Sequence, residues 1–240
     1  MAVNKDSYSH HISQQFNAEL DELKGSVLTM GGRVEKQVND AITALIEGNS
    51  ELAQTVRRNE GTINQMEVSI DEECTRILAR RQPTASDLRL VLAVTRTTTD
   101  LERIGDESNK IAKMAMTVSE QGHAPRGHVE IRHIGGQVAG MLHNALDAFA
   151  RLDVDSALGV ARADAEVDLE YGTALRELIT YMMEDPRSIS RVMEIIWALR
   201  ALERVGDHAR NIAEQVIFLL AGRDVRHASY EEMEAAAKNI

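Results

Sequence analysis

One cysteine, three prolines and an aromatic content of 3 % are little for a chain of 240 residues. Cys74 alone cannot close an internal disulfide or build a cysteine metal cluster, which suits a reducing, cytoplasmic compartment. Sandwiches and barrels need aromatic and β-branched strands with frequent turn residues, so an all-β fold is excluded. Long apolar runs are missing too. The longest near the carboxyl end, residues 216–222, falls far short of the roughly 20 residues a spanning helix needs, and residues 1–15 lack a signal-peptide core. Membrane insertion and export are not expected, and any membrane contact should run through a partner. Basic charge is also short: 27 Lys and Arg stand against 38 Asp and Glu, for a net charge of −11. A nucleic-acid binder needs local cationic surface, so that class drops out. What is abundant is apolar sequence, 43 % of the chain, enough to fill a real core.

Punctuation falls at Gly48-Asn49, Gln82-Pro83, residues 122–127, Leu152-Asp153 and Asp185-Pro186. Between these breaks lie six long segments with apolar residues at three- and four-residue spacing. The last runs Val192, Ile195, Ile196, Leu199, Leu202 and Val205 and continues to Leu219. That period predicts six amphipathic helices. Thr84 with Asp87 has capping-box spacing, Asp153 and Ser188 stand where caps are needed, and Ser229 with Glu232 can cap a short tail helix. The polar tail can equally fray, and His10 and His11, close to a terminus, are expected to be mobile.

One half of the chain can be laid on the other. Residues 27–64 fall on 131–168 without a gap, pairing Gly31-Gly32 with Gly135-Gly136 and Glu60 with Asp164. Further on, Leu101-Glu102-Arg103-Ile104-Gly105-Asp106 matches Leu202-Glu203-Arg204-Val205-Gly206-Asp207. The expected architecture is therefore all-α, two tandem repeats of a three-helix bundle. The first covers residues 1–121, a linker 122–127, the second repeat 128–222, and a polar tail 223–240.

The chemistry lies in acid pairs four residues apart: Glu102 and Asp106, Glu203 and Asp207, with Glu60-x-x-x-Asn64 and Asp164-x-x-x-Asp168 on the second helix of each unit. Four residues is about one helical turn, so each pair shares a face. Glu203 and Asp207 fall off the main apolar stripe of their helix, whereas Asp164 and Asp168 share a side with Val160, Tyr171 and Leu175. Like charges one turn apart repel, and burial worsens the cost. A hard multivalent cation on oxygen ligands would compensate: Mg²⁺, Mn²⁺ or iron, with Zn²⁺ also compatible. Gly105 and Gly206 sit inside helices, where glycine costs about 1 kcal/mol relative to alanine; a close helix approach beside the acids would account for them. The alternative is a solvated ion-pair ladder, since Arg200 and Arg204 flank Glu203 and Asp207, and Arg103 precedes Asp106. His208, turned about 100° from Asp207, is expected to face solvent.

At these residues the chain resembles the PhoU family, accessory and regulatory proteins of high-affinity phosphate uptake. The resemblance covers nearly the whole chain and rests on two in-register copies of the Glu-Arg-[Ile/Val]-Gly-Asp segment, each preceded by the second-helix pair. It implies two three-helix bundles, metal clusters on the acidic motifs, a homodimer and no catalytic activity. The ligands it implies are Glu60, Glu102 and Asp106 in the first bundle, and Asp164, Asp168, Glu203 and Asp207 in the second. Asn64 departs from the pattern, because an amide oxygen coordinates without charge, so the first site should be weaker or hold fewer ions. The implied role is negative regulation of the phosphate regulon when phosphate is plentiful. Its implied partners are the ATPase subunit of the phosphate ABC transporter and the phosphate sensor histidine kinase.

Two other functions compete. A di-iron carboxylate enzyme needs two Glu-x-x-His motifs; Glu130-x-x-His133 is one, but its repeat equivalent is Ser26-x-x-Thr29. A metal-free helical scaffold would leave the acids as solvated faces. Cys74, Met114, Met182, Met183 and Met193 read as core or interface filler. No nucleophilic triad, glycine-rich phosphate loop or zinc spacing can be placed, so no enzyme is expected.

Overall fold

A computed structural model describes residues 5–121 and 127–238, with side chains from Gln14 to Glu120 and from Gly127 to Lys238. The expected linker falls almost wholly outside the described residues, as do the side chains of His10 and His11. Helices α1 (Lys5–Glu47), α2 (Ser50–Arg81) and α3 (Ala85–Gln121) form the first repeat. Helices α4 (His128–Arg151), α5 (Val154–Glu184) and α6 (Ile189–Ala221) form the second, followed by a short α7 (Tyr230–Ala237).

The turns are built by the residues that the punctuation singles out. Gly48 takes a left-handed φ of 63°, and Asn49 then caps α2 by accepting from the Leu52 N–H at 3.0 Å. Asp153 accepts from the N–H groups of Asp155 and Ser156 and so starts α5. Ser188 does not cap α6 as expected: its hydroxyl donates to the Asp185 carbonyl, because Asp185 and Pro186 interpose one turn of 3-10 helix. In the tail, Ser229 and Glu232 form a complete capping box, and α7 buries Met233 and Ala236 against the body. The tail thus packs rather than frays along its described length.

The two repeats join along antiparallel helix pairs. Between α3 and α6, Asp100 meets His208 while Glu107 meets Arg204. Between α1 and α4, Lys24 donates to the Ala150 carbonyl at 2.8 Å and Glu35 meets His143 at 2.9 Å. Gly31 and Gly135 explain how α1 and α4 come so close: a Cβ on Gly31 would stand 2.5 Å from Leu146, and one on Gly135 would stand 3.1 Å from Ile42. These are the same contact made twice, since Gly31 and Ile42 are the repeat equivalents of Gly135 and Leu146. The core is continuous through both repeats, from Leu23 and Met30 to Phe149 and Ile212, at about 1.5–3 kcal/mol for each large side chain buried. Cys74 lies in it, and Met114, Met182 and Met193 pack against it, but Met183 is exposed.

Candidate metal centre

In the second repeat, α5 contributes Asp168, and one face of α6 contributes Glu203 and Asp207. A carboxylate oxygen from each of the three lies within 4.8 Å of the others. Capping by Asp153 fixes the start of α5, and the four-residue spacing on α6 stacks its two acids. The close helix approach expected at Gly105 and Gly206 is not found: a Cβ on Gly206 would be 3.5 Å from Met141 Cε and 3.8 Å from Asp164 Oδ1, and one on Gly105 would be 3.4 Å from Ile63, ordinary contacts that an alanine could make.

Glu203 is only 8 % exposed, although it lies off the main apolar stripe. Helix α6 packs against α3, α4 and α5, and so it is buried nearly all round. Arg200 donates to Oε1 of Glu203, while the buried Oε2 has no hydrogen-bond partner. Burial, and next the Asp207 charge, push the Glu203 carboxyl up to about 7 against the pull of Arg200. The surrounding protein also raises Asp207, with Asp168 the next cause. Three hard oxygen donors thus lie close together, Glu203 buried and Asp168 and Asp207 exposed, with Arg200 hydrogen-bonded to one of them. An orphaned buried oxygen in such a set fits a divalent or trivalent cation.

Asp164 is occupied differently. Arg210 Nη1 donates to its Oδ2 at 3.0 Å, and Arg210 Nε lies 3.3 Å from Glu214 Oε1. In the first repeat, Glu60 accepts from Asn109 at 2.5 Å, and Asn64 is exposed. Glu102 is raised by burial and then by Asp106. Glu67, one turn beyond Asn64, is raised by burial and then by Glu102, Asp71 and Asp106. Glu67 therefore belongs to this acidic face, and its spacing of seven from Glu60 was the available signal. Among the described residues, the convergence of three ligand atoms occurs only in the second repeat.

The ion-pair ladder forms only in part. Arg200 serves Glu203, but Arg204 reaches across the repeats to Glu107 at 3.0 Å, and Lys110 meets the same carboxylate at 2.9 Å. His208 does not face solvent: it is buried, with Nδ1 2.9 Å from Asp100 Oδ1, which also accepts from Asn211. These inter-repeat partners were not legible as a site, because no periodicity says which helices meet. Asp207 also borders a cavity of about 580 Å³ whose walls include Arg96, Asp100, Arg210 and Glu214. His133, the histidine of the lone Glu-x-x-His motif, lies 3.0 Å from Glu170 and is not in the carboxylate trio.

The fold and this site define a duplicated all-α protein in which the same helix faces carry acid pairs in both halves and three carboxylates converge in the second. A family model described as the PhoU domain matches residues 27–115 and again 131–216. The chain belongs to the PhoU family. It is 64 % identical over 233 residues to a phosphate-specific transport system accessory protein PhoU homolog of Pseudomonas putida, covering 97 % of this chain and 91 % of that one. The crystal structure of PhoU from Pseudomonas aeruginosa superposes with a TM-score of 0.86 at 64 % identity, over 87 % of this chain and 100 % of that one. A phosphate transport system regulatory protein PhoU from Streptococcus pneumoniae superposes with a TM-score of 0.81 at 31 % identity, over 88 % and 99 %.

Proposed function

We propose that this protein is a non-catalytic, metal-binding adaptor of phosphate uptake, linking the ATPase subunit of a phosphate transporter to the sensor kinase of the phosphate regulon and holding the response off when phosphate is plentiful. The observations that carry the metal part are the unpartnered, buried Oε2 of Glu203 and the approach of one Glu203 oxygen to within 4.8 Å of oxygens of Asp168 and Asp207. Those three residues would hold a hard cation such as Mg²⁺, Mn²⁺ or iron, which would supply positive charge to the buried Glu203 and to the exposed Asp168 and Asp207 beside it. Asp164 acts one step out, anchoring Arg210 beside the site. The names of the relatives, accessory and regulatory proteins of phosphate transport, support the transporter as partner. Among the described residues no helix is long and apolar enough to cross a membrane, so contact with a transporter would be made by docking. The trio contains no histidine, which disfavours the di-iron enzyme.

The test is co-purification from phosphate-replete cells, comparing wild type with Glu203→Ala/Asp207→Ala. The adaptor reading expects wild type to bring down transporter and kinase components and the double variant to lose both. Recovery of neither by wild type contradicts it. Retention of both by a variant that has lost its metal would make the ion structural.

A further inference from the structure

Each repeat carries a groove between its first two helices, and the two grooves are the same feature made twice. In the second repeat the groove lies between α4 and α5, encloses about 320 Å³ and includes Val129, Ile134, Leu169 and Ala174 in its lining. Moved back by the repeat offset of 104 positions, eight of its nine lining residues fall on the lining of the groove between α1 and α2, which encloses about 930 Å³. The amino acids differ at every shared position but one, Glu73 and Glu177, so it is the groove that the two halves share.

Two observations describe these grooves. Val129 is 77 % exposed and Leu169 74 %, which leaves two large apolar side chains in water across one groove. In the first repeat, a Cβ added to Gly25 or Gly61 would meet nothing within 4 Å. Neither helical glycine serves the chain's own packing, although each costs about 1 kcal/mol relative to alanine. They keep the groove wide and its backbone approachable.

The charge around the second groove states what fits. Glu130, Glu170 and Glu177 line it, no lysine or arginine does, and His133 sits 3.0 Å from Glu170. Arg176, on the next face of α5, donates to Thr173 at 3.1 Å. Three carboxylates beside an apolar floor complement a helix with an apolar stripe flanked by lysine or arginine. A second copy of this chain, itself strongly acidic, would meet like charge there. We propose that each groove seats a cationic amphipathic helix of a partner protein, one helix per repeat. This goes beyond the adaptor reading by naming the surface, and it does not depend on whether the trio holds a cation.

The test is a titration of the purified full-length chain, at 0.15 M salt with chelator, using a synthetic helical peptide of leucine and lysine with leucines at i, i+3, i+4 and i+7. A scrambled peptide of identical composition serves as control. The expected result is two peptides per chain, each at least tenfold tighter than the scrambled control. Val129→Ser/Leu169→Ser should reduce the stoichiometry to one, Glu177→Lys should weaken that site at least tenfold, and Gly25→Leu/Gly61→Leu should remove the other. All these positions face solvent or open space, so circular dichroism should stay unchanged and no variant should melt far below wild type, while Gly25→Leu/Gly61→Leu should melt higher because leucine replaces two helical glycines. Equal binding of the scrambled peptide, or a stoichiometry that neither pair of substitutions alters, overturns the proposal. So does sedimentation of wild type as a dimer that Val129→Ser/Leu169→Ser splits, because the occupant is then a second copy. Failure here leaves the co-purification result unaffected.

Discussion

Replacing Glu203 by glutamine should stabilise the metal-free protein and destabilise the metal-bound one. With its carboxyl pushed up to about 7 from an ordinary 4.5, ionising Glu203 in the fold at pH 8 costs on the order of 3 kcal/mol more than in the unfolded chain, at 1.36 kcal/mol per pKa unit. Glutamine keeps the shape and removes that charge. The pull of Arg200, whose side chain is half exposed, is already contained in that value. In chelator at pH 8 the variant should therefore gain about 2–3 kcal/mol, or roughly 4–12 °C in melting temperature for a chain of this length. With Mn²⁺ at a hundredfold excess over its dissociation constant, wild type should gain about 2.7 kcal/mol, and the variant, short of one charged ligand, should gain much less. The assay is thermal unfolding of both proteins in EDTA and in a Mn²⁺ series. A variant less stable than wild type in EDTA, with the same response to Mn²⁺, would refute the reasoning and leave Glu203 as half of a plain ion pair with Arg200.

The other expected outcomes concern neighbouring groups. Glu214 is also raised to about 7 by burial, against Arg210, so its contribution is present below about pH 4.5 and is lost as pH rises through 7; Glu214→Gln should flatten the fall in stability over that window in urea titrations at stepped pH. Asp164→Asn should leave the response to Mn²⁺ nearly unchanged, because Asp164 is taken up by Arg210, which keeps Glu214 as its second carboxylate partner, whereas Asp168→Asn should chiefly diminish the Mn²⁺-dependent gain in melting temperature. Equal responses of these two variants to Mn²⁺ would mean that the division of labour between them is wrong. Gly31→Ala should cost about 1–3 kcal/mol by forcing Leu146 aside, and Gly32→Ala, with open space at its Cβ, should add up to about 1 kcal/mol; denaturant midpoints distinguish the two signs.

Much of this was legible because helices write their period and their breaks directly into sequence. The turns at Gly48-Asn49 and Leu152-Asp153 stand where the punctuation puts them, and the duplication is visible in Leu101 to Asp106 against Leu202 to Asp207. The acid pairs were legible for the same reason, since a four-residue spacing fixes a shared face whatever surrounds it. What one helix cannot state is which of its faces meets another helix. Glu203 lies off the apolar stripe of α6 yet is buried, because three helices surround α6, and His208 is turned inward because Asp100 of the other repeat waits there. The assignment of Asp164 to Arg210 and of Asp168 to the trio depends on the same tertiary fact. Ser188 was misleading as a cap because Pro186 starts a 3-10 turn before α6, a local competition that a cap-by-spacing rule does not weigh.

The proposed metal centre brings Asp168, Glu203 and Asp207 onto one cation. Crystals grown with Mn²⁺ and measured for anomalous scattering test it most directly. The account predicts an anomalous peak within about 2.0–2.5 Å of an oxygen from each of the three carboxylates, with Glu203 Oε2 among them. Carboxylates turned apart, with no peak between them at saturating Mn²⁺, would contradict it.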